Sequence, residues 1–269
     1  MIGFMIAGLY RSRPFVGNAL RFNSPKPFGS RHAVRRMGTG ILDNLDDEQA
    51  RLMEERVILL DRDDNVIGSA TKVDSHHASK QLPLHRAFSV FVFDSQFRML
   101  LQRRAKVKAT FASYWTNTCC SHPLHVAEEL SPGGSTLRGV QNAAVRKLSH
   151  ELGVKEGSVA PEELKYITRI HYKAYSDQGE WGEHEIDYVL FIQKDLEYDP
   201  SPNEVDDVKF VTASELKDIF DQAKLGKTKV TPWFKHIMDS SGFSWWEKFQ
   251  AGQLQDCVDT VNIMRFGDV

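Results

Sequence analysis

Short strand-like patterns run through most of this chain, with only a few helical patterns between them. That alternation indicates antiparallel strand pairing and one α+β domain. The helix predicted over 136–152 carries Val140, Ala144 and Leu148 at a spacing of four, and Gly153 follows as a C-cap. The other predicted helices are 43–55, 214–223 and 233–249. The predicted strands are a hairpin over 55–72, a second hairpin of 87–93 with 98–102, and single strands at 166–174, 185–194 and 206–211.

The bulk properties exclude several classes of protein. The chain has 269 residues, 41% of them hydrophobic and 26% charged, which is ordinary for a soluble domain. No apolar run reaches the roughly 18 residues of a membrane-spanning helix. The net charge of -2 does not indicate a nucleic-acid partner. We therefore expect no membrane span and no nucleic acid, and a monomer, although the sequence leaves an oligomer open.

The charge is unevenly distributed along the chain. Residues 1–42 contain seven basic residues and no acidic one, which leaves 27 of the 34 basic residues against all 36 acidic residues. A basic, acid-free segment is typical of an organelle transit peptide, mitochondrial in preference to plastid. The alternative is a disordered arm that binds an anionic surface. Met37 could start a cytosolic form, and the domain itself is predicted over 43–269.

Two segments carry reactive side chains. Residues 116–124, Thr-Asn-Thr-Cys-Cys-Ser-His-Pro-Leu, contain adjacent thiols close to an imidazole. Residues 181–188, Trp-Gly-Glu-His-Glu-Ile-Asp-Tyr, place Glu183 and Glu185 on the same side of a strand. Alternation in the first segment sends one of Cys119 and Cys120 into a pocket and the other away. Three cysteines do not make a disulfide scaffold, so a reducing compartment and a free thiolate are expected.

Imidazole and carboxylate groups together suit a divalent metal ion. His76 and His85 are predicted to lie in a polar loop, from which both could reach a common point; His77 is an alternative to His76. The candidate ligands are His76, His85, His122, Glu183 and Glu185. A thiol beside such a site can donate or accept a proton, and Cys120 and Cys119 have the same local surroundings. Lys72, Arg104 and Lys108 flank the same segments and suggest an anionic substrate such as a diphosphate.

Residues 146–154, Arg-Lys-Leu-Ser-His-Glu-Leu-Gly-Val, resemble the metal-binding helix of Nudix hydrolases in a degraded form. Lys147 and His150 stand where that helix has glutamates, which argues against hydrolysis. Glu151 remains, and one carboxylate can help to hold a magnesium ion that phosphates bridge.

Taken together, these motifs resemble type I isopentenyl-diphosphate delta-isomerase, from residue 46 to about 249. Residues 84–89, Leu-His-Arg-Ala-Phe-Ser, and 231–234, Thr-Pro-Trp-Phe, add to the match. The resemblance implies a Nudix-like α/β/α sandwich, with a mixed, mainly antiparallel sheet in a single domain. It also implies interconversion of isopentenyl and dimethylallyl diphosphate by a 1,3-proton shift through a carbocation, in isoprenoid and sterol biosynthesis.

The resemblance also implies a role for each matching residue. The acid–base pair is Cys120 and Glu185, with Tyr172 orienting the proton at Glu185 and Trp233 facing the cation. Lys72, Arg104, Lys108 and the Ser121 backbone contact the diphosphate. The five histidines and glutamates hold Mg²⁺, Mn²⁺ or Zn²⁺, and Glu151 joins a further Mg²⁺ to the diphosphate. Two alternatives remain: a Nudix diphosphohydrolase, and a binding module without catalysis.

Overall fold

The computed structural model describes Leu42 and residues 45–177 and 179–269. The N-terminal arm predicted over 1–42, Leu42 apart, and the start at Met37 lie outside the described residues. The described part contains the following strands: β1 Arg56–Leu60, β2 Val66–Thr71, β3 His85–Phe93, β4 Met99–Arg104, β5 Trp115–Thr116, β6 Cys119–Ser121, β7 Lys165–Tyr175, β8 Gly182–Gln193, β9 Val205–Val211 and β10 Ile263–Arg265. Its α-helices are α1 Asp47–Leu52, α2 Lys72–His76, α3 Ala127–Leu130, α4 Thr136–Leu152, α5 Ala213–Lys224, α6 Pro232–Ile237 and α7 Phe243–Gln250.

One mixed sheet organises the described residues, and its main path runs β10-β7-β8-β3-β1-β2. The central pair, β3 and β8, is parallel over nine positions from His85 opposite Glu185 to Phe93 opposite Gln193. β10 is parallel to β7, and the other pairs are antiparallel. The expected mixed, mainly antiparallel sheet is confirmed.

Helices cover both faces of the sheet, because β3 is apolar on both sides. Phe88, Val90 and Val92 pack into a cluster with α4, while Phe91 and Phe93 pack into a second cluster with α6 and α7. A strand that is buried on both faces reads as a continuous apolar run instead of an alternating one. The α/β/α sandwich of a Nudix fold follows from this packing.

The helix predicted over 136–152 has those bounds in the structure. Ser135 caps its start by accepting a hydrogen bond from the Arg138 N–H. Gly153 ends it in the left-handed region at φ 63°, as expected for a C-cap. A Cβ at that position would lie 2.2 Å from the Asp199 carbonyl oxygen, so the close approach of the next segment also requires glycine.

Three expectations are corrected. Strands β3 and β4 meet at one register position, Phe93 opposite Met99, because the edges of β3 are taken by β8, β6 and β1; β4 pairs with β9 instead. The histidines are not in a loop: His76 ends α2, which Thr71 caps, and His85 is the first residue of β3. The helix predicted over 233–249 contains a π-helical turn at Met238–Gly242 that separates α6 from α7.

Candidate active site

Five side chains from four elements form a candidate metal site. One ligand atom from each residue lies within 4.8 Å of every other. Glu183 and Glu185 project from the same face of β8, and the parallel register of β3 brings His85 beside Glu185. His76 comes from the end of α2 and His122 follows β6. His77 does not join this cluster, since its Nδ1 lies 2.7 Å from Ser79 Oγ and its ring packs against Trp181.

The protonation of two histidines is set by backbone carbonyls. His76 Nδ1 lies 2.7 Å from the Lys72 oxygen, and His85 Nδ1 lies 2.8 Å from the Pro83 oxygen. A carbonyl can only accept, so each Nδ1 carries a hydrogen and each Nε2 is the ring nitrogen left to face the cluster. This is the outer-shell arrangement typical of metal-binding histidines.

Buried atoms of the cluster are placed to bind a cation. Nε2 of His85 is buried and has no hydrogen-bond partner, and the buried Oε2 of Glu183 lies 2.8 Å from His76 Nε2 without hydrogen-bond geometry. Burial lowers the pKa of His122 well below its usual range, and His76 and His85 add to this effect, so the ring is neutral and able to ligate. Three imidazoles and two carboxylates suit Zn²⁺, Mn²⁺ or Mg²⁺.

The two adjacent thiols face opposite sides of the sheet, as alternation predicted. Cys119 is fully buried against the α4 side, with its Sγ 3.5 Å from Glu151 Oε2. Cys120 is partly exposed and lines the pocket that holds the metal cluster. Burial raises the pKa of Cys120 to about 12, although the Arg104 guanidinium opposes that rise. The thiol therefore carries its proton at neutral pH.

Glu185 and Tyr172 form the second proton-bearing pair in the pocket. The Tyr172 hydroxyl, fully buried on β7, donates to Oε2 of Glu185. Burial raises the pKa of Tyr172 well above its usual range, and the Glu185 charge adds to this effect. The other oxygen, Oε1, lies 2.6 Å from His122 Nε2. Glu185 thus contacts the metal cluster and a tyrosine proton at once.

Trp233 forms an aromatic wall of the same pocket. It lies in the first turn of α6, with the Arg104 guanidinium 5.8 Å from its ring centre and the Phe111 ring edge-on at 5.1 Å. Its indole Nε1 is buried without a hydrogen-bond partner. An apolar π-surface at this position can face a cation without reacting with it.

Cationic side chains line the other end of the pocket, and carboxylates accompany them. Lys72 Nζ lies 2.5 Å from Glu55, and Lys108 Nζ lies 2.6 Å from Glu204. Burial lowers the pKa of Lys72 to about 8, and the charge of Lys147 adds to this effect. The predicted anion-binding residues Lys72, Arg104, Lys108 and Ser121 all line this pocket.

Glu151 does not line the pocket itself. It is buried on α4, where it accepts from Gln102 at 3.1 Å and pairs with Lys147 at 3.1 Å. Lys147 lines the pocket, whereas Glu151 is not among the lining residues. Its role beside a diphosphate-bound Mg²⁺ therefore stays a prediction.

Sequence reasoning missed two buried carboxylates in the pocket. Glu204 contacts Lys108 and also accepts from Gln49 at 3.1 Å. No local pattern around residue 204 indicates such a contact. Asp187 could have been found, because it follows Glu185 by two residues on the same strand face. It accepts a hydrogen bond from Ser89 at 2.7 Å, and burial raises its pKa well above the usual range.

Comparison with known proteins agrees with this geometry. A family model described as NUDIX domain matches residues 83–234. The chain is 51% identical over 218 residues to an isopentenyl-diphosphate delta-isomerase of Gibberella zeae, covering 78% of this chain and 83% of that protein. It is 45% identical over 225 residues to isopentenyl-diphosphate Delta-isomerase 1 of Mesocricetus auratus, covering 82% and 96%.

Solved structures show a more distant similarity. The crystal structure of DR0079 from Deinococcus radiodurans matches with a TM-score of 0.48 and 17% identity, covering 69% of this chain and 98% of that one. Family membership therefore rests on the sequence relatives and on the NUDIX match. The chain belongs to the isopentenyl-diphosphate delta-isomerase family of Nudix-domain proteins, and it is an enzyme.

Proposed function

We propose that this enzyme interconverts isopentenyl diphosphate and dimethylallyl diphosphate by a metal-dependent 1,3-proton shift. The observation that carries the proposal is one pocket that holds the Cys120 thiol and the Glu185 carboxylate, together with an aromatic wall and a cationic end. A proton must be added to an unactivated alkene and another removed from a different carbon. That chemistry needs an acid, a base and a dry pocket.

Cys120 and Glu185 are the acid–base pair in this proposal. The thiol carries a proton at neutral pH, and Glu185 accepts the hydrogen bond from Tyr172. Desolvation alone would raise the pKa of Glu185, but the nearby His85 imidazole and the hydrogen bond from Tyr172 outweigh it and lower that pKa. Tyr172 orients or relays the proton at this carboxylate.

Trp233 faces the tertiary cation that forms between the two proton transfers. A desolvated ring–cation contact stabilises the cation by about 2 kcal/mol. The ring cannot form a bond that traps the intermediate, unlike a carboxylate or a thiolate. Phe111 packs edge-on against Trp233, and this contact keeps the ring in place.

Lys72, Arg104, Lys108 and the Ser121 backbone bind the diphosphate. In this region four cationic side chains, including Lys147, face the three carboxylates Glu55, Glu151 and Glu204. The excess of one positive charge is smaller than the charge of a diphosphate. A magnesium ion that arrives with the substrate, held in part by Glu151, would make up the difference.

The ligand set for the divalent ion is the cluster of three histidines with Glu183 and Glu185. A bound ion there supplies a fixed positive charge that keeps Glu185 ionised and oriented. The residues themselves supply the position, since the backbone carbonyls already set the tautomers of His76 and His85.

The deciding experiment uses the full chain with isopentenyl diphosphate and magnesium in deuterated water. We expect deuterium-labelled dimethylallyl diphosphate, lost on adding a chelator and in Cys120→Ser, but retained in Cys119→Ser. Phosphate release without isomer would favour a diphosphohydrolase. Binding without label in the product would favour a non-catalytic module. If turnover is lost in Cys119→Ser instead, the catalytic thiol is Cys119 and the choice of Cys120 is wrong.

We further propose that residues 1–42 direct the enzyme to mitochondria, that a start at Met37 yields a cytosolic form, and that its product serves isoprenoid and sterol biosynthesis. The acid-free composition of the segment supports the first part. A fluorescent fusion of the full chain should co-localise with mitochondria, and one that begins at Met37 should not. Co-localisation of the full-chain fusion with plastids would mean that residues 1–42 direct the enzyme to plastids instead.

A further inference from the structure

Three fully buried polar side chains lie beside Cys120, and the proposed mechanism uses none of them. They are Thr116 at the end of β5, Asn117 next to it, and Thr231 before α6. Buried polar groups carry a cost unless they are hydrogen-bonded, so each of their donors and acceptors can be followed. The donor and the acceptor can be assigned in each of these hydrogen bonds.

The assignment starts from the side-chain amide of Asn117. Its Nδ2 lies 3.1 Å from the Val90 oxygen and 3.0 Å from the Cys119 oxygen, and both of these carbonyls can only accept. The amide oxygen of Asn117 therefore faces Thr116, whose Oγ1 is 3.0 Å away. The single hydroxyl proton of Thr116 is donated to Asn117.

Thr116 then has only lone pairs for its other two neighbours. Thr231 Oγ1 lies 2.7 Å away and Cys120 Sγ lies 3.8 Å away, so both must donate to it. Thr231 stands at the N-cap position of α6, where threonine commonly accepts from the helix. It makes no capping hydrogen bond there, which fits a hydroxyl turned towards Thr116.

The opposite side of the sulfur meets a donor. Arg104 Nη1 lies 3.7 Å from Cys120 Sγ, and a guanidinium cannot accept. The thiol of Cys120 therefore accepts from Arg104 and donates to Thr116. Its proton has a defined direction within the pocket wall.

We propose that Thr116 is a positioning residue of the isomerase reaction: its hydroxyl oxygen accepts the Cys120 S–H and ties the thiol to the helix that carries Trp233. The link to α6 runs through Thr231, two residues before the tryptophan. A change at this one oxygen thus alters both the direction of the thiol proton and its distance from the ring. The kinetic part rests on the acid–base role proposed for Cys120.

A spectroscopic test does not depend on turnover. The S–H stretching band of Cys120 is identified in the infrared spectrum by its loss in Cys120→Ser, with Cys119 and Cys257 as internal references. Thr116→Val removes the acceptor and keeps the shape, so the Cys120 band should move to higher frequency. Thr116→Ser keeps the hydroxyl and should leave the band in place. An unmoved band in Thr116→Val overturns the proposal.

The kinetic test separates positioning from a structural role. Thr116→Val should lower kcat roughly tenfold or more, with KM for isopentenyl diphosphate unchanged, because a misdirected proton affects the chemical step. Thr116→Ser should restore kcat. If kcat falls only in proportion to the folded fraction, or equally in Thr116→Ser, the role is structural and the proposal is wrong.

Two outcomes remain distinguishable from these. Turnover retained in Cys120→Ser would refute the acid–base role of the thiol, while the band shift would still test the hydrogen bond. Should valine not be accommodated, Thr116→Ala removes the same hydroxyl with less bulk and gives the same two readouts.

Discussion

The two ends of the pocket are built on opposite principles. At the metal end, imidazole nitrogens and carboxylate oxygens converge, and the buried His85 Nε2 has no hydrogen-bond partner. At the cationic end, Lys72 and Lys108 each already pair with a carboxylate. A cation that binds at the first end gains a contact with His85 Nε2 that nothing else there supplies. An anion at the second end exchanges with contacts that already exist, so affinity there depends on how readily each carboxylate gives way.

Breaking the metal end should have the largest effect. Glu183→Gln removes a charged ligand and leaves three imidazoles facing one carboxylate. We expect kcat to fall by more than the roughly 10- to 100-fold that loss of an outer-shell partner costs. Bound metal, measured by elemental analysis, should fall in parallel. Glu180→Gln, an exposed position three residues earlier, is the control; full metal content in Glu183→Gln would contradict the assignment.

Replacing Glu204 tests whether a buried carboxylate stabilises the lysines at the cationic end. It is buried beside Lys108 and Lys147, so Glu204→Gln leaves the Lys108 ammonium without its counter-charge, while Lys147 keeps Glu151. Removing one partner of a buried pair costs about 3 kcal/mol or more of unfolding free energy, measurable by urea denaturation. The control is Asp207→Asn on β9, three residues further along, whose exposed pair with Arg103 should matter by less than about 1 kcal/mol.

The same carboxylate gives a pH signature. Lys108 and Lys147 hold the pKa of Glu204 well below its ordinary value of 4.5, although burial alone would raise it. Its stabilising contribution is therefore complete above pH 4.5 and is lost as the pH falls below that value. The stability of Glu204→Gln should decline less steeply over this acid range, and an identical decline would show that Glu204 is not ion-paired.

Lys72 should make substrate capture sensitive to alkaline pH. Its pKa is lowered to about 8 by burial, so the ammonium loses its proton as the pH rises through that value. We expect kcat/KM to fall up to about tenfold per pH unit above pH 8, since this ratio reports the free enzyme. Lys72→Arg keeps its charge and should abolish the decline. A decline that persists in Lys72→Arg would assign it to another group.

Replacing Glu55 should have the smallest effect on the kinetics, and it should strengthen substrate binding instead of weakening it. Its side chain is 28% exposed, so it can move aside when a diphosphate approaches Lys72. Glu55→Gln removes this competitor, and KM should fall by roughly two- to fivefold, the value of a partly exposed ion pair. The exposed Glu128→Gln serves as the control. A higher KM in Glu55→Gln would mean that Glu55 positions Lys72 instead.

Features coded within one short segment were predictable from the sequence. Alternation along β6 and β8 placed Cys119 and Cys120 on opposite faces and Glu183 beside Glu185, and these placements are found in the structure. Helix α4 was equally local, with its spacing of four and its C-cap glycine.

Features that depend on distant segments were not predictable. The pairing of β4 with β9 follows from competition for the edges of β3, which no local pattern records. The contact of Thr116 with Thr231 joins positions 115 residues apart, and that of Lys108 with Glu204 joins positions 96 apart. Such contacts are set by tertiary packing, which single-segment periodicity does not carry.

The parallel pairing of β3 with β8 has a consequence for how the enzyme matures. His85 and Glu185 are neighbours in the sheet but a hundred positions apart in the chain. A long loop must close before the two strands can align, and non-local pairing of this kind is slow compared with helix formation. During refolding, helical circular dichroism should therefore recover before zinc or manganese is captured. A newly made chain would be vulnerable to misloading only at the end of its folding, when the cluster first exists.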